Sequence, residues 1–282
     1  MPLVPTTDLV GRAAAGRGCV AAFNAITLEH AEGIVSGAET AGRPVIVQIS
    51  ENAVRYHGGR LAPLALAAAS LARTAAVGVA LHLDHVTDVG LLHQAAATGF
   101  SSVMFDAGAL PWTDNLAATA AAARWAHEAG LWIEAELGYV GGKPDSPASA
   151  HADGVRTDPA EAADYVARTG VDALAVAVGS SHAMTQRSAH LDHALIARLR
   201  EAVPVPLVLH GSSGVPDAEL RAAVRAGMTK INIGTALNVS LTHTVRDVLR
   251  EEPALTDPRR YLGPARDAVA ATVRDLLTAL AA

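Results

Sequence analysis

Val77-Gly-Val-Ala-Leu-His-Leu-Asp-His85 is a short apolar run that ends in a carboxylate and an imidazole. Such a run, apolar on both faces, reads as a strand covered on both sides, and strands of that kind belong to parallel sheets. The pattern recurs. Residues 173–178 lead into Gly-Ser-Ser-His182, and residues 207–209 lead into His210-Gly-Ser-Ser-Gly214. Further strands are expected at 20–23, 45–49, 102–105, 131–136 and 230–233. Alanine-rich helical stretches follow them at 28–40, 63–76, 89–98, 115–129, 159–169, 193–202, 216–226 and 237–250. Gly42, Gly99, Gly130, Gly170 and Gly227 stand at helix ends, where a positive φ stops the helix. Eight strand–helix units without a break predict an α/β chain folded as one closed (β/α)8 TIM barrel over residues 1–282. A charged connection, 251–263, leads to a last helix at 264–280, a C-terminal extension of the barrel.

Composition narrows the function. The net charge is −6 with no basic cluster, which argues against nucleic acid and anionic membrane surfaces. The single cysteine, Cys19, allows no internal disulfide and reads as a small core residue. No signal-type segment opens the chain and no uncharged run is long enough to span a membrane, so a cytoplasmic protein is expected. Two long segments, 138–157 and 179–192, read as loops over the barrel mouth.

Barrel enzymes place their chemistry at the carboxyl ends of the strands. Every expected strand here ends on a polar group: Asn24, Ser50, Asp84 with His85, Asp106, Glu136, His182, His210 with Gly211, and Asn232 with Thr235. Of the twelve histidines, His30, His57, His93, His127, His190, His193 and His243 fall on helices or polar stretches and read as solvated. His82 reads as an interior layer residue, and His151 as a loop residue outside the chemistry. His85, His182 and His210 read as metal ligands; three imidazoles leave an open position on Zn2+, as a catalytic site requires. The small residues after strands seven and eight expose backbone N–H groups for a phosphate, with Gly211, Ser213, Asn232 and Thr235 the leading contacts.

In these motifs the chain resembles the class II, metal-dependent ketose-bisphosphate aldolases, in their shorter tagatose-/fructose-bisphosphate branch. The resemblance spans nearly the whole chain. It rests on Ala22-Phe-Asn24, His82-Leu-Asp-His85, Ser102-Val-Met-Phe-Asp106, Glu134-Ala-Glu-Leu-Gly138 with Gly141-Gly142, Gly179-Ser-Ser-His182, Leu209-His-Gly-Ser-Ser-Gly214, Lys230-Ile-Asn-Ile-Gly-Thr235 and Asp257-Pro-Arg259. It implies reversible cleavage of a ketose 1,6-bisphosphate into dihydroxyacetone phosphate and glyceraldehyde 3-phosphate. Zn2+ on His85, His182 and His210 would stabilise the enediolate, with Asp84 as acid/base. Asp106 and Glu136 match acidic positions able to approach a second or shifted divalent ion, and a monovalent cation often accompanies the phosphate. Ala183, Gly211, Ser212, Ser213, Asn232, Ile233, Gly234 and Thr235 match the near-phosphate cradle. Asn24 and Ser50 match contacts to the far end of the substrate, and Arg259 an arginine for the far phosphate, in its own or a neighbouring subunit's site. A homodimer or homotetramer is implied.

The chain departs from the family pattern at several positions. Ala183 replaces a glycine, Thr185-Gln186 a Tyr-Lys pair, and Ala236 a glutamate. Lys143-Pro144-Asp145 stands where a proton-moving glutamate is usual. These changes keep open a zinc-dependent aldolase or epimerase for another phosphorylated sugar or sugar acid, a non-catalytic subunit of the same fold, and the need for an accessory subunit. The alternative aldolase chemistry, a lysine Schiff base, has only Lys143 and Lys230 to draw on; Lys230 is expected at the start of strand eight, at the wrong end of the barrel.

Overall fold

The structure is a computed structural model that describes residues 3–138 and 156–281. Its elements are α1 (Thr6–Ala15), β1 (Val20–Asn24), α2 (Leu28–Ala41), β2 (Val45–Ser50), α3 (Glu51–Tyr56), α4 (Ala62–Thr74), β3 (Val79–Val86), α5 (Val89–Leu92), β4 (Ser102–Phe105), α6 (Trp112–Glu128), β5 (Trp132–Leu137), α7 (Pro159–Thr169), β6 (Ala173–Val176), α8 (His193–Ala202), β7 (Leu207–Leu209), α9 (Asp217–Ala226), β8 (Met228–Ile233), α10 (Thr235–Glu251) and α11 (Arg259–Ala281). The strands pair in chain order, all parallel, and β1 pairs with β8 to close the barrel. This is the (β/α)8 architecture expected from the strand–helix alternation.

Strand residues alternate between two environments, as a pleat requires. Ala21, Phe23, Val45, Val47, Leu81 and Leu83 join the large core between strands and helices. Val20, Ala22, Ile46, Ala80, Trp132, Ala173, Ala175 and Val208 form a separate apolar cluster inside the barrel, with Leu9 and Val10 of α1. Helix α1 therefore plugs the amino-terminal end of the barrel. Thr6 fastens it: its hydroxyl lies 3.0 Å from Ser101 Oγ and 2.6 Å from the buried Ser102 Oγ. Above this apolar floor the buried interior turns polar, with Gln48, His82, Asp84, Glu134, His210, Lys230 and Asn232.

Five local features depart from expectation. Helix α1 has no strand before it and was not foreseen, and neither was α3, which Ser50 caps by accepting from the Ala53 N–H at 3.2 Å. The helix expected over 89–98 breaks into α5, capped by Asp88, and a 3₁₀ turn at Ala96–Thr98. Strand β8 begins at Met228, so Lys230 is not at an exposed strand start but fully buried. His30 is buried, not solvated; its Nδ1 lies 3.1 Å from Thr27 Oγ1.

The final helix uses its apolar stripe within the chain. Ala265, Val269, Val273 and Leu277 are buried, spaced four apart on one face. That face lies on α2, where two glycines let the helices approach. A methyl group added at Gly37 would stand 2.4 Å from the Ala270 carbonyl oxygen and 2.7 Å from Val273 Cβ. The Gly37→Val variant should lose about 1–3 kcal/mol of unfolding free energy through overpacking, read from the denaturant midpoint. A pH effect follows from His30. Burial lowers its pKa, ahead of opposing contributions from Asn238 and Glu29. The folded chain therefore resists a proton that the unfolded chain accepts near about pH 6.5. This contribution favours folding above that pH and is lost as pH falls, so His30→Gln should flatten the decline in stability between pH 7 and pH 5.

Candidate active site

A cavity of about 820 Å3 opens at the carboxyl ends of the strands. It collects most of the residues expected there: Asn24, Ser50, Asp84, His85, Asp106, Glu136, His182, Ala183, Gly211, Ser213, Asn232, Gly234 and Thr235. His85, Glu136, His182 and His210 each offer one ligand atom, and these atoms lie within 4.8 Å of one another.

Asp84 and His85 are consecutive, and a regular strand would send them to opposite faces. The β3–β4 register shifts between Leu83 and Val86, and His85 takes φ 51°. This irregularity turns His85 back toward the barrel axis, which is a usual use of a bulge beside a site. Ala183, next to His182, also holds a left-handed backbone, φ 59°. The family's glycine would adopt that conformation without a Cβ penalty, so the departure at 183 leaves a strained residue beside His182. Gly211 has φ 68°, and a Cβ there would lie 2.6 Å from the Ser181 backbone. The turn after β7 can therefore pack against the His182 loop only through glycine.

The donor set suits a divalent cation. Each of two imidazoles gives its second nitrogen to a carboxylate, the arrangement that fixes tautomer and ring direction in metal sites. His85 Nδ1 donates to Asp106 Oδ2 at 3.0 Å, and His210 Nε2 to Glu134 Oε1 at 2.8 Å. His210 Nδ1 is then the atom aimed at the centre, 2.8 Å from Glu136 Oε2. Burial opposes a charge on His210, but its contacts with Glu134 and Glu136 outweigh it and push the pKa up to about 10. The same carboxylates favour a metal cation in the proton's place. Asp106 stands behind His85 rather than in the converging set, whereas Glu136 belongs to it.

Beneath this ring lies a buried ion pair that sequence reading missed. Lys230 Nζ donates to Glu134 Oε2 at 2.8 Å, and both side chains are fully buried. Burial works against ionised Glu134, yet Lys230 and His210 more than offset it and hold its pKa well below the carboxylate range. The pairing also occupies the only lysine among the described residues. His82 fills the interior as expected, with Nδ1 2.8 Å from Ser102 Oγ, and burial drives its pKa down to about 3.

Asp84 is almost fully buried beside the histidines. Burial again opposes ionisation, but His85, then His82, His210 and Lys230, together lower its pKa below the ordinary value. Asn24 Nδ2 donates to Asp84 Oδ2 at 2.9 Å. Gln48 Nε2 donates to the same oxygen at 3.3 Å and to Asn24 Oδ1 at 2.8 Å. Gln48 was not foreseen; its place two residues before Ser50, on the same face of β2, was the available signal.

Ser213 ties together the two turns expected to cradle a phosphate. Ser213 Oγ accepts from the N–H groups of Gly234 and Ala236, at 3.3 and 3.1 Å, at the start of α10. Ser212 is buried and its hydroxyl donates back to the Leu209 carbonyl, while Ile233 is fully buried in the outer core. Neither side chain reaches the cavity. Arg259 is 88% exposed, pairs with Asp257 and does not line the cavity of its own chain. Lys143-Pro144-Asp145, Gly141-Gly142 and His151 lie outside the described residues.

Known proteins match this arrangement. The family model described as fructose-bisphosphate aldolase class II matches residues 4–282. A fructose-bisphosphate aldolase of Geobacillus stearothermophilus is 36% identical over 274 residues, covering 97% of this chain and 95% of that protein. One of Thermus caldophilus is 36% identical over 295 residues, covering 96% of each. The crystal structure of the YdjI aldolase of Escherichia coli K12 superimposes with a TM-score of 0.85 at 30% identity, covering 99% of this chain and 97% of that one. The chain belongs to the class II fructose-bisphosphate aldolase family, whose members are lyases.

Proposed function

We propose that this chain reversibly cleaves fructose 1,6-bisphosphate into dihydroxyacetone phosphate and glyceraldehyde 3-phosphate, with Zn2+ held by His85, His182 and His210. The carrying observation is the convergence of these imidazoles beside an ionised, buried Asp84. The relatives' names favour fructose over tagatose bisphosphate. A bound divalent cation supplies Lewis-acid stabilisation of the negative charge that C–C cleavage leaves on the substrate.

The protein's own groups do the rest. Asp84 accepts the proton of the C4 hydroxyl as the C3–C4 bond breaks, and returns it in the condensation direction. Asn24 and Gln48 hold one Asp84 oxygen, leaving the other to face the reacting hydroxyl. Gly211, Ser213 and the first turn of α10 hold the phosphate next to the ketone, so binding energy fixes the alignment of the reacting atoms. Glu136 is placed to accept a second divalent ion or a shifted first one. Asn232 Oδ1, buried without a hydrogen-bond partner, is placed to serve a monovalent cation beside the phosphate.

A second reading, action on another phosphorylated sugar, draws on the strained Ala183 and on Ala236 at the cradle. We further propose a homodimer or homotetramer in which Arg259, exposed in one chain, serves a neighbouring site. A cytoplasmic location accords with one cysteine and with described helices none of which is long and apolar enough to cross a membrane.

Wild-type protein should release triose phosphate from fructose 1,6-bisphosphate, and less from the tagatose isomer; release from neither rejects the assignment. Asp84→Ala should keep its zinc and lose cleavage by a factor of about 100–10,000. Near-normal turnover in that variant removes Asp84 from the mechanism. His210→Ala should lose metal by elemental analysis, while Glu134→Gln should weaken zinc affinity about 10–100-fold in a chelator competition. Borohydride with substrate should trap no adduct, and a chelator should abolish activity.

A further inference from the structure

We infer that Arg55 recognises the second anionic group of the substrate, the phosphate remote from the ketone. The inference rests on the aldolase reading and extends it to a residue outside the family motifs.

Arg55 is the one arginine or lysine among the described residues that line the cavity. The other charged groups of the described wall are carboxylates or imidazoles: Glu51, Asp84, Asp106 and Glu136, with His85 and His182. A phosphate entering such a wall meets net repulsion unless a cation or several N–H groups face it. The cradle on β7 and β8 supplies N–H groups at one end only. At the other end, Ser50 ends β2 and Arg55 follows one turn later on α3. Strands β8 and β2 are separated by β1 alone, so their ends stand about 10 Å apart on the rim. An extended six-carbon chain with a phosphate at each end fits that span.

The guanidinium is held in place and still has donors to give. Its Nη2 pairs with Glu51 Oε1, and its other N–H groups bond no other described residue. The side chain is 65% exposed, so a ligand can reach it. Glu51 is buried and does not confront the ligand as a bare charge. Its carboxylate also accepts from the N–H groups of Thr87 and Asp88 and from the Thr87 hydroxyl. Those residues stand two and three positions after His85, so one carboxylate ties the arginine to the turn that follows a candidate metal ligand. An arginine presented this way can bind a phosphate through two parallel N–H bonds.

The test uses zinc-loaded, full-length protein and two non-cleavable probes, a hexitol 1,6-bisphosphate and a hexitol 1-phosphate. Titration calorimetry should show wild type favouring the bisphosphate by about tenfold or more. Arg55→Met should lower that preference about fivefold or more and leave monophosphate binding unchanged, any remainder belonging to Arg259 of a neighbouring chain. Arg55→Lys should keep part of the preference, since the charge survives without the fork. If Arg55→Met keeps the full preference, or weakens both probes equally, or if wild type has no preference, the assignment is overturned. Equal weakening would mark Arg55 as a strut for Glu51 alone. Turnover of fructose 1,6-bisphosphate by wild type is a separate measurement. A protein that prefers the bisphosphate through Arg55 but cleaves nothing would uphold this inference and reject the aldolase reading.

Discussion

The site depends on one buried charge arrangement: Lys230 against Glu134, and Glu134 against His210. An ammonium and a carboxylate removed from water are costly to bury, and the pair is tolerable only because its geometry is close and further hydrogen bonds complete it. What it secures is direction. With Nε2 committed to Glu134, His210 can present only Nδ1 to the centre of the ring. His85 receives the same treatment from Asp106. The converging ring of imidazoles is therefore aimed by residues that sit behind it.

The barrel makes this possible by separating its interior into floors. Apolar side chains and α1 seal the lower floor, so the polar floor above it opens only toward the mouth. Polar groups there satisfy one another: Thr6 with Ser102, Ser102 with His82, Gln48 with Asn24 and Asp84. In a medium of low polarity each bond restricts its neighbours, and the Asp84 carboxylate inherits a fixed orientation. Backbone irregularity completes the site. His85 and Ala183 both adopt a left-handed conformation, and both stand where a ligand or its neighbour must be turned inward.

Much of this was legible in the chain. Apolar runs of strand length, each ending in a polar residue, reveal strands buried on both faces, and glycines at 42, 99, 130, 170 and 227 mark the helix ends. All five take a positive φ. The residues of the candidate site were also legible, because a strand end is a fixed point in a barrel: Asp84, His85, His182 and His210 meet at one cavity or directly beneath it. Helices α1 and α3 were not visible, since neither follows the strand–helix alternation that located the others. The side chains of Ser212 and Ile233 turn away from the cavity because neighbouring residues in a turn diverge, one toward the mouth and the next toward the core.

Sequence by itself determined the architecture and the polar residues that gather at the barrel mouth. Both follow from local pattern, a continuous apolar run followed by a helix, with polar residues at the one end of each strand that faces the mouth. Tertiary structure alone decided who partners whom. Lys230, Glu134 and His210 are far apart in the chain, and only barrel closure brings β5, β7 and β8 round to a common axis. The inward turn of His85 likewise depends on a register shift against β4, which is a property of two strands together and of neither alone.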